Sequence, residues 1–200
     1  MVDAVDFFDR FPRPVRLERP QRQPRPAWYG PPEVELPVPV GVSLILARTE
    51  DVAVAVTGIH AYSEGFEMAI GVRIREENRP QSRSLVTFHG ERDSEGRWPD
   101  NILLLGVEFA DGRLASNLGR SFPAHDGEPD GVVMQPGGGG GGGRSWDFTY
   151  WVWPLPPAGP VAIICAWPGR GIPESRAQVD ASVIRDASAL AVQLWPDYDS

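Results

Sequence analysis

The chain contains no lysine: all 19 of its basic residues are arginine. GC-rich coding accounts for this, since arginine, alanine, glycine and proline codons are GC-rich. The bias reports on the source more than on function, although each guanidinium keeps its capacity for bidentate pairing with carboxylates or phosphates. There is one cysteine, Cys165. A lone thiol excludes an internal disulfide and a cysteine-based zinc site. No apolar run approaches the 18 residues a membrane helix needs. The start, Met1-Val-Asp-Ala-Val-Asp-Phe-Phe-Asp-Arg10, is acidic and lacks the apolar stretch of a signal peptide, so the expectation is a cytoplasmic protein. Basic charge is also short overall. The net charge of −8 argues against nucleic-acid binding by the chain as a whole.

Glycine and proline are abundant, with 22 and 21 residues in a chain of 200. That richness in turn formers points away from a helical bundle. Residues 1–39 read as an extended Arg/Pro-rich arm. Arg10, Arg13, Arg16, Arg19, Arg22 and Arg25 recur every third residue among prolines. A polyproline II helix has three residues per turn, so the six would align along one edge. The arm suits an acidic or phosphorylated protein partner. The plainer reading is a solvated extension, or an arm that lies on its own acidic body. No aromatics interleave with the arginines to stack on bases.

The body is expected over 40–196. Residues 42–48 read as a strand. Val52, Val54 and Val56 alternate with small residues, and Phe66, Met68, Ile70, Val72 and Ile74 alternate with a partly charged face. Together they form an antiparallel hairpin with one buried face. Residues 76–100 are polar and expected to loop, with a short strand option at 85–89. Residues 102–110 form a strand, and Asp111-Gly112 turns it back. Residues 117–145 are expected as a second flexible loop containing seven consecutive glycines, 137–143. No Gly-Lys-Ser/Thr follows them, so they are no phosphate loop.

Order resumes at Ser145. Phe148, Tyr150 and Val152 would face one way, and Thr149, Trp151 and Trp153 the other. Val161 to Trp167 is apolar on both faces and reads as a central strand. Residues 175–179 suit an edge strand, Asp180 an N-cap, and about 181–195 a helix carrying Ile184, Leu190 and Leu194 on one side. The expectation is a mainly β protein: an antiparallel β-sandwich, with an immunoglobulin-like arrangement as one option, closed by one C-terminal α-helix.

Chemistry is harder to find. His60 and Tyr62 share the parity of the strand valines, which suits a core or strand-end role. His125 lies among Asp126, Glu128 and Asp130, but the spacing matches no standard metal site. Cys165 sits in an apolar strand and reads as an inert buried thiol. No catalytic residue, metal or cofactor is expected from these patterns. Two binding surfaces remain: the arginine arm, and an aromatic face in which Trp151 and Trp153 are exposed neighbours. The leading reading is a non-enzymatic interaction module. The alternative is a small-molecule-binding or enzymatic sandwich with its pocket near His60, Tyr62 and Trp153.

Several stretches together resemble uncharacterised hypothetical proteins of high-GC actinobacteria. They are Trp28-Tyr-Gly-Pro-Pro-Glu, Ala61-Tyr-Ser-Glu-Gly-Phe, Val107-Glu-Phe-Ala-Asp-Gly-Arg and Trp151-Val-Trp-Pro-Leu-Pro-Pro-Ala-Gly-Pro. The resemblance spans about residues 25–196, and the Trp-Val-Trp-Pro-Leu-Pro-Pro motif is its most specific part. It implies a bacterial cytoplasmic setting. No activity comes with it, so it assigns no functional residue.

Overall fold

Two antiparallel sheets pack face to face, and the apolar alternation of their strands fills the space between them. The computed structural model describes residues 25–75, 95, 98–119 and 127–195. The arginines from 10 to 22, the strand option at 85–89, and His125 and Asp126 of the acidic cluster lie outside those residues.

The order along the chain is β1 (Glu35–Leu36), β2 (Val38–Val40), β3 (Leu44–Arg48), β4 (Val52–Ala61), β5 (Phe66–Ile74), β6 (Leu104–Glu108), β7 (Leu114–Ser116), β8 (Val133–Gly142), β9 (Ser145–Trp153), β10 (Pro160–Trp167), β11 (Ile172–Asp180), α1 (Ala181–Ser188) and β12 (Val192–Gln193). The larger sheet runs β2-β4-β5-β9-β8, with β3 also pairing β4. The smaller runs β11-β10-β6-β7. A separate ribbon joins β1 to β12.

The core is the set of inward positions. Val54, Val56, Met68, Ile70, Val72, Tyr150 and Val152 from the larger sheet meet Leu105, Val107, Ile163, Cys165 and Trp167 from the smaller, all buried. Asn117 ties the two sheets together. Its side chain accepts from the Leu105 N–H at 2.9 Å, donates to the Leu103 carbonyl at 2.7 Å, and bonds the Tyr150 hydroxyl across the sandwich. Proline respects the ladder throughout. Pro39, Pro136 and Pro173 occupy β2, β8 and β11, each at a sheet margin, and Pro160 opens β10. A residue with no N–H to donate fits only there.

The hairpin, the central strand β10 and the Asp180 cap all form where the sequence places them. Four expectations are corrected. First, the body begins earlier than residue 40. The Trp151 Nε1 donates to the Ala27 carbonyl at 2.8 Å, and β2 pairs with β4, so residues 25–39 belong to the packed domain. Second, most of the glycine run is no loop but the outer strand β8, laddered onto β9 as far as Gly142.

Third, a β-bulge between Val56 and Gly58 reverses the parity of β4. Ile59 and Ala61 therefore point into the core, and His60 points away from it, opposite Glu67. Fourth, α1 stops at Ser188 after eight residues. Its buried side is Ala181, Ile184 and Ser188, which exhausts the surface beneath it. Two i→i−3 bonds, Leu190 N–H to Ala187 and Ala191 N–H to Ser188, then turn the chain. The backbone of Val192–Gln193 pairs with Glu35–Leu36 instead of continuing the helix.

Candidate functional site

The predicted aromatic face exists on the outer side of the larger sheet, but the chain covers it. Trp151 is only 1% exposed. Beneath its ring lies Gly65, where a Cβ would come within 2.7 Å of the indole. Tyr62 meets it edge-on, with centroids 5.5 Å apart. Over it runs the segment 26–30, fixed by the indole bond to Ala27. Trp153 is half-buried and packs edge-to-face against Trp28, with centroids 6.2 Å apart. Trp151 and Trp153 are therefore a packing platform for the N-terminal segment and not exposed neighbours.

His60, Glu67 and Trp151 occupy one register row across β4, β5 and β9. Tyr62 is 8% exposed, and its phenol is pushed up by burial first and then by the Glu67 and Glu35 carboxylates. Glu35 is itself engaged by Ser63, whose N–H donates at 3.0 Å and whose hydroxyl also donates to the carboxylate. The alternative pocket thus resolves into a closed arrangement: Tyr62 packs on Trp151, and Trp28 covers Trp153.

The core thiol follows the same logic. Burial pushes Cys165 up to about 12, which keeps it protonated at neutral pH. A protonated, enclosed thiol is neither nucleophile nor metal ligand. Tyr150 is likewise held up at about 12 by burial, with the bond to Asn117 pulling the other way. Among the described residues no group of three His, Cys, Asp or Glu side chains is placed to hold a metal ion. Among them, too, no helix is long and apolar enough to cross a membrane.

A groove of about 200 Å³ runs along β8, between Gly137–Gly140 and the side chains of Trp146 and Phe148. Here the glycines split by parity. At 137, 139 and 141 a Cβ would come within 2.5 Å or less of an atom of Thr149, Phe148 or Ser145. At 138, 140 and 142 a Cβ would meet nothing within 4 Å. Close approach to β9 therefore demands glycine at every second position only.

The apolar surface left uncovered lies elsewhere. Leu36, Leu190, Val192, Leu194 and Trp195 are 44–67% exposed. Leu36 and Val192 are on the β1–β12 ribbon, and Leu190, Leu194 and Trp195 lie in the chain on either side of β12. Leu36 is the register partner of Val192, and the Leu194 N–H donates to the Val34 carbonyl at 2.7 Å. As register partners in an antiparallel pair, Leu36 and Val192 project to the same side. The last arginine of the periodic series sits at the base of this ledge. Arg25 pairs with Glu33 at 3.4 Å, next to Val34, and its guanidinium lies 5.6 Å from the centre of the Tyr29 ring.

Sequence reasoning missed the ledge because Leu190 and Leu194, four apart, fit a helix as well as a strand. The signal that could have separated them is Val192 between the two, a β-branched residue completing a period of two. Comparison with protein-family models, with curated proteins and with solved structures finds no match for this chain.

Proposed function

We propose that this chain is a non-enzymatic protein-interaction module of the bacterial cytoplasm, docking through the β1–β12 ledge. The observation that carries the reading is the concentration of exposed side chains there. Of nine large apolar residues that the described surface leaves exposed, five are in this ledge. Contiguous apolar surface is costly to leave in water and marks an interaction site. A two-stranded ribbon is also marginal alone, and a partner lying on its face would stabilise it. The chemistry elsewhere supports the same reading. The aromatic platform is filled by the chain's own residues, and the thiol is enclosed.

The module takes a protein with an apolar face, and the Arg/Pro-rich arm adds attraction for an acidic partner. The test is affinity capture from native lysate by the full chain, its Leu194→Asp variant and a 25–200 truncation. A partner held by the wild type and lost by Leu194→Asp, with thermal melting unchanged, supports the ledge. Retention by the variant refutes it. Loss on truncation, reversed by nothing but restored arginines, assigns the electrostatic share to the arm.

A further inference from the structure

We infer that β8 is a second interaction surface, at which an uncharged, extended peptide segment of another protein adds as a further strand of the larger sheet. The inference is independent of the ledge.

The first support is the edge itself. β8 closes the larger sheet and pairs only with β9, so one side of its backbone has no strand beside it among the described residues. Pro136 through Gly142 are all exposed. Such an edge is a template for pairing, and folded proteins guard it with short strands, prolines, bulges or charges. The other outer strands carry those guards. β2 has three residues and holds Pro39, and β7 has three residues. β3, which pairs only with β4, has five residues interrupted by a bulge. β11 carries Pro173, Glu174 and Arg176. In β8 the proline and the bulge both fall between Pro136 and Gly139, and nothing guards Gly139 to Gly142.

The second support is the chemistry along that edge. Glycine leaves the backbone N–H and C=O groups unscreened, and a Cβ at 138, 140 or 142 would meet nothing within 4 Å. Aromatic or β-branched side chains of a neighbouring strand cover glycines placed in this way. The groove of about 200 Å³ beside Gly137–Gly140 supplies a place for one such side chain. In its wall the Trp146 indole N–H is buried and has no hydrogen-bond partner among the described residues, so a side chain that carries an acceptor, such as threonine, suits it. Charge complementarity sets the rest. The stretch from Val132 to Gly143 holds no ionisable side chain, so an uncharged strand matches it and a charged one would find no counterion there. A second copy of β8 fits less well, because glycine against glycine offers no side-chain pairs and no fixed register.

Hydrogen–deuterium exchange on the full chain tests this. The probe is the end-blocked peptide Arg-Thr-Val-Thr-Phe-Thr-Val-Thr-Arg at up to about 1 mM, which detects even weak binding. Its arginines lie outside the paired stretch and keep it soluble. One version is N-methylated at alternate residues along one edge and keeps the other edge free. A second is N-methylated along both edges and keeps only the side chains and the charge. The parent and the one-edge version should slow exchange of the amides of 137–142 by about threefold or more, and the two-edge version should not. Gly140→Lys, whose side chain enters open space, should melt with the wild type and bind the parent peptide about threefold or more weakly, because an edge lysine is one of the usual guards. No protection at β8 overturns the inference, as does protection by the two-edge version. Protection that appears without peptide and grows with protein concentration replaces the foreign strand by a second copy, and overturns it too. Leu194→Asp should bind the peptide as the wild type does, and loss in that variant would refute the independence of the two surfaces.

Discussion

Two apolar surfaces of this domain have opposite fates. On the outer side of the larger sheet, Trp151 is sealed by Tyr62, Gly65 and the segment that Ala27 anchors. On the β1–β12 ribbon, Trp195 is 58% exposed, and Leu194 beside it is 44% exposed. Both surfaces are rich in large side chains, and both lie against the same N-terminal stretch, 25–36. The difference is that residues 26–30 spend their contacts on the first surface. Residues 34–36 frame the second, through the Val34 carbonyl, the β1 ladder and the exposed Leu36 side chain. One stretch of chain thus closes one aromatic site and frames another left open. The closed one is architecture, and the open one is where an external partner finds area.

The sharpest way to break this comparison is to remove one tryptophan from each surface. Trp151→Ala should cost about 3–5 kcal/mol, because it empties a filled site and strips the Ala27 carbonyl of its donor. Trp195→Ala should change stability by no more than about 0.5 kcal/mol, the ordinary range for an exposed residue. Urea denaturation followed by far-ultraviolet circular dichroism reads both. Equal, small losses would mean that the segment 26–30 does not seal the platform in solution.

A finer contrast lies within β8, where neighbouring glycines differ only in the side they present. Gly139→Ala drives a methyl to within 2.5 Å of Phe148 Cβ and 2.8 Å of the Asp147 carbonyl. The rigid backbone of β9 cannot yield cheaply, so a loss of about 1–3 kcal/mol is expected. Gly140→Ala points its methyl into open space at an ordinary backbone angle. It should be neutral or stabilising by up to ~1 kcal/mol, since it removes freedom from the unfolded chain. Thermal melts of the two variants side by side decide the point. Matching destabilisation by both would deny that the strand presents one tight and one open face.

These contrasts also show where the sequence was legible. Period-two alternation over 66–74 identified β5 and its buried face residue by residue, because five apolar side chains repeat without interruption. Cys165 was legible as inert, since no base or cation lies near it along the chain. Three features were hidden for physical reasons. The glycine run carries no side chain, so it has no period. It becomes a strand because β9 offers a ladder and because residues 145–149 of β9 approach positions 137, 139 and 141 too closely for a Cβ. The bulge at Gly58 inserts one residue and reverses the parity of His60, an effect that only pairing with β5 exposes. Trp151 looked available because its alternation with Tyr150 placed it on the solvent side. What covers it comes from Ala27, 124 positions away. The ledge escaped for a related reason, since the helix ends where the surface beneath it ends and not where its periodicity does.

The smallest expected effect concerns the junction that sets the helix beside the ledge. Asp180 ends β11 and caps α1, accepting the Ser182 N–H at 2.9 Å. Hydrogen bonds from the Ser182 backbone and hydroxyl hold its carboxyl below the ordinary value of 3.8. A carboxylate whose folded pKa is depressed contributes stability in full above its unfolded value, and that contribution disappears as pH falls through the folded one. Asp180→Ala should therefore melt slightly below wild type at pH 7, and the gap should narrow only below about pH 4. Asp180→Asn keeps an oxygen acceptor without the charge, so its gap from wild type should be smaller at pH 7 and close in the same acidic window. Melting curves between pH 2.5 and 7 measure both. A gap for Asp180→Ala that stays constant through the acidic range would show that the carboxylate charge adds nothing. The first turn of α1 would then be held only by burial of Ala181 and Ile184, as firmly packed as the chain beyond Ser188 is exposed.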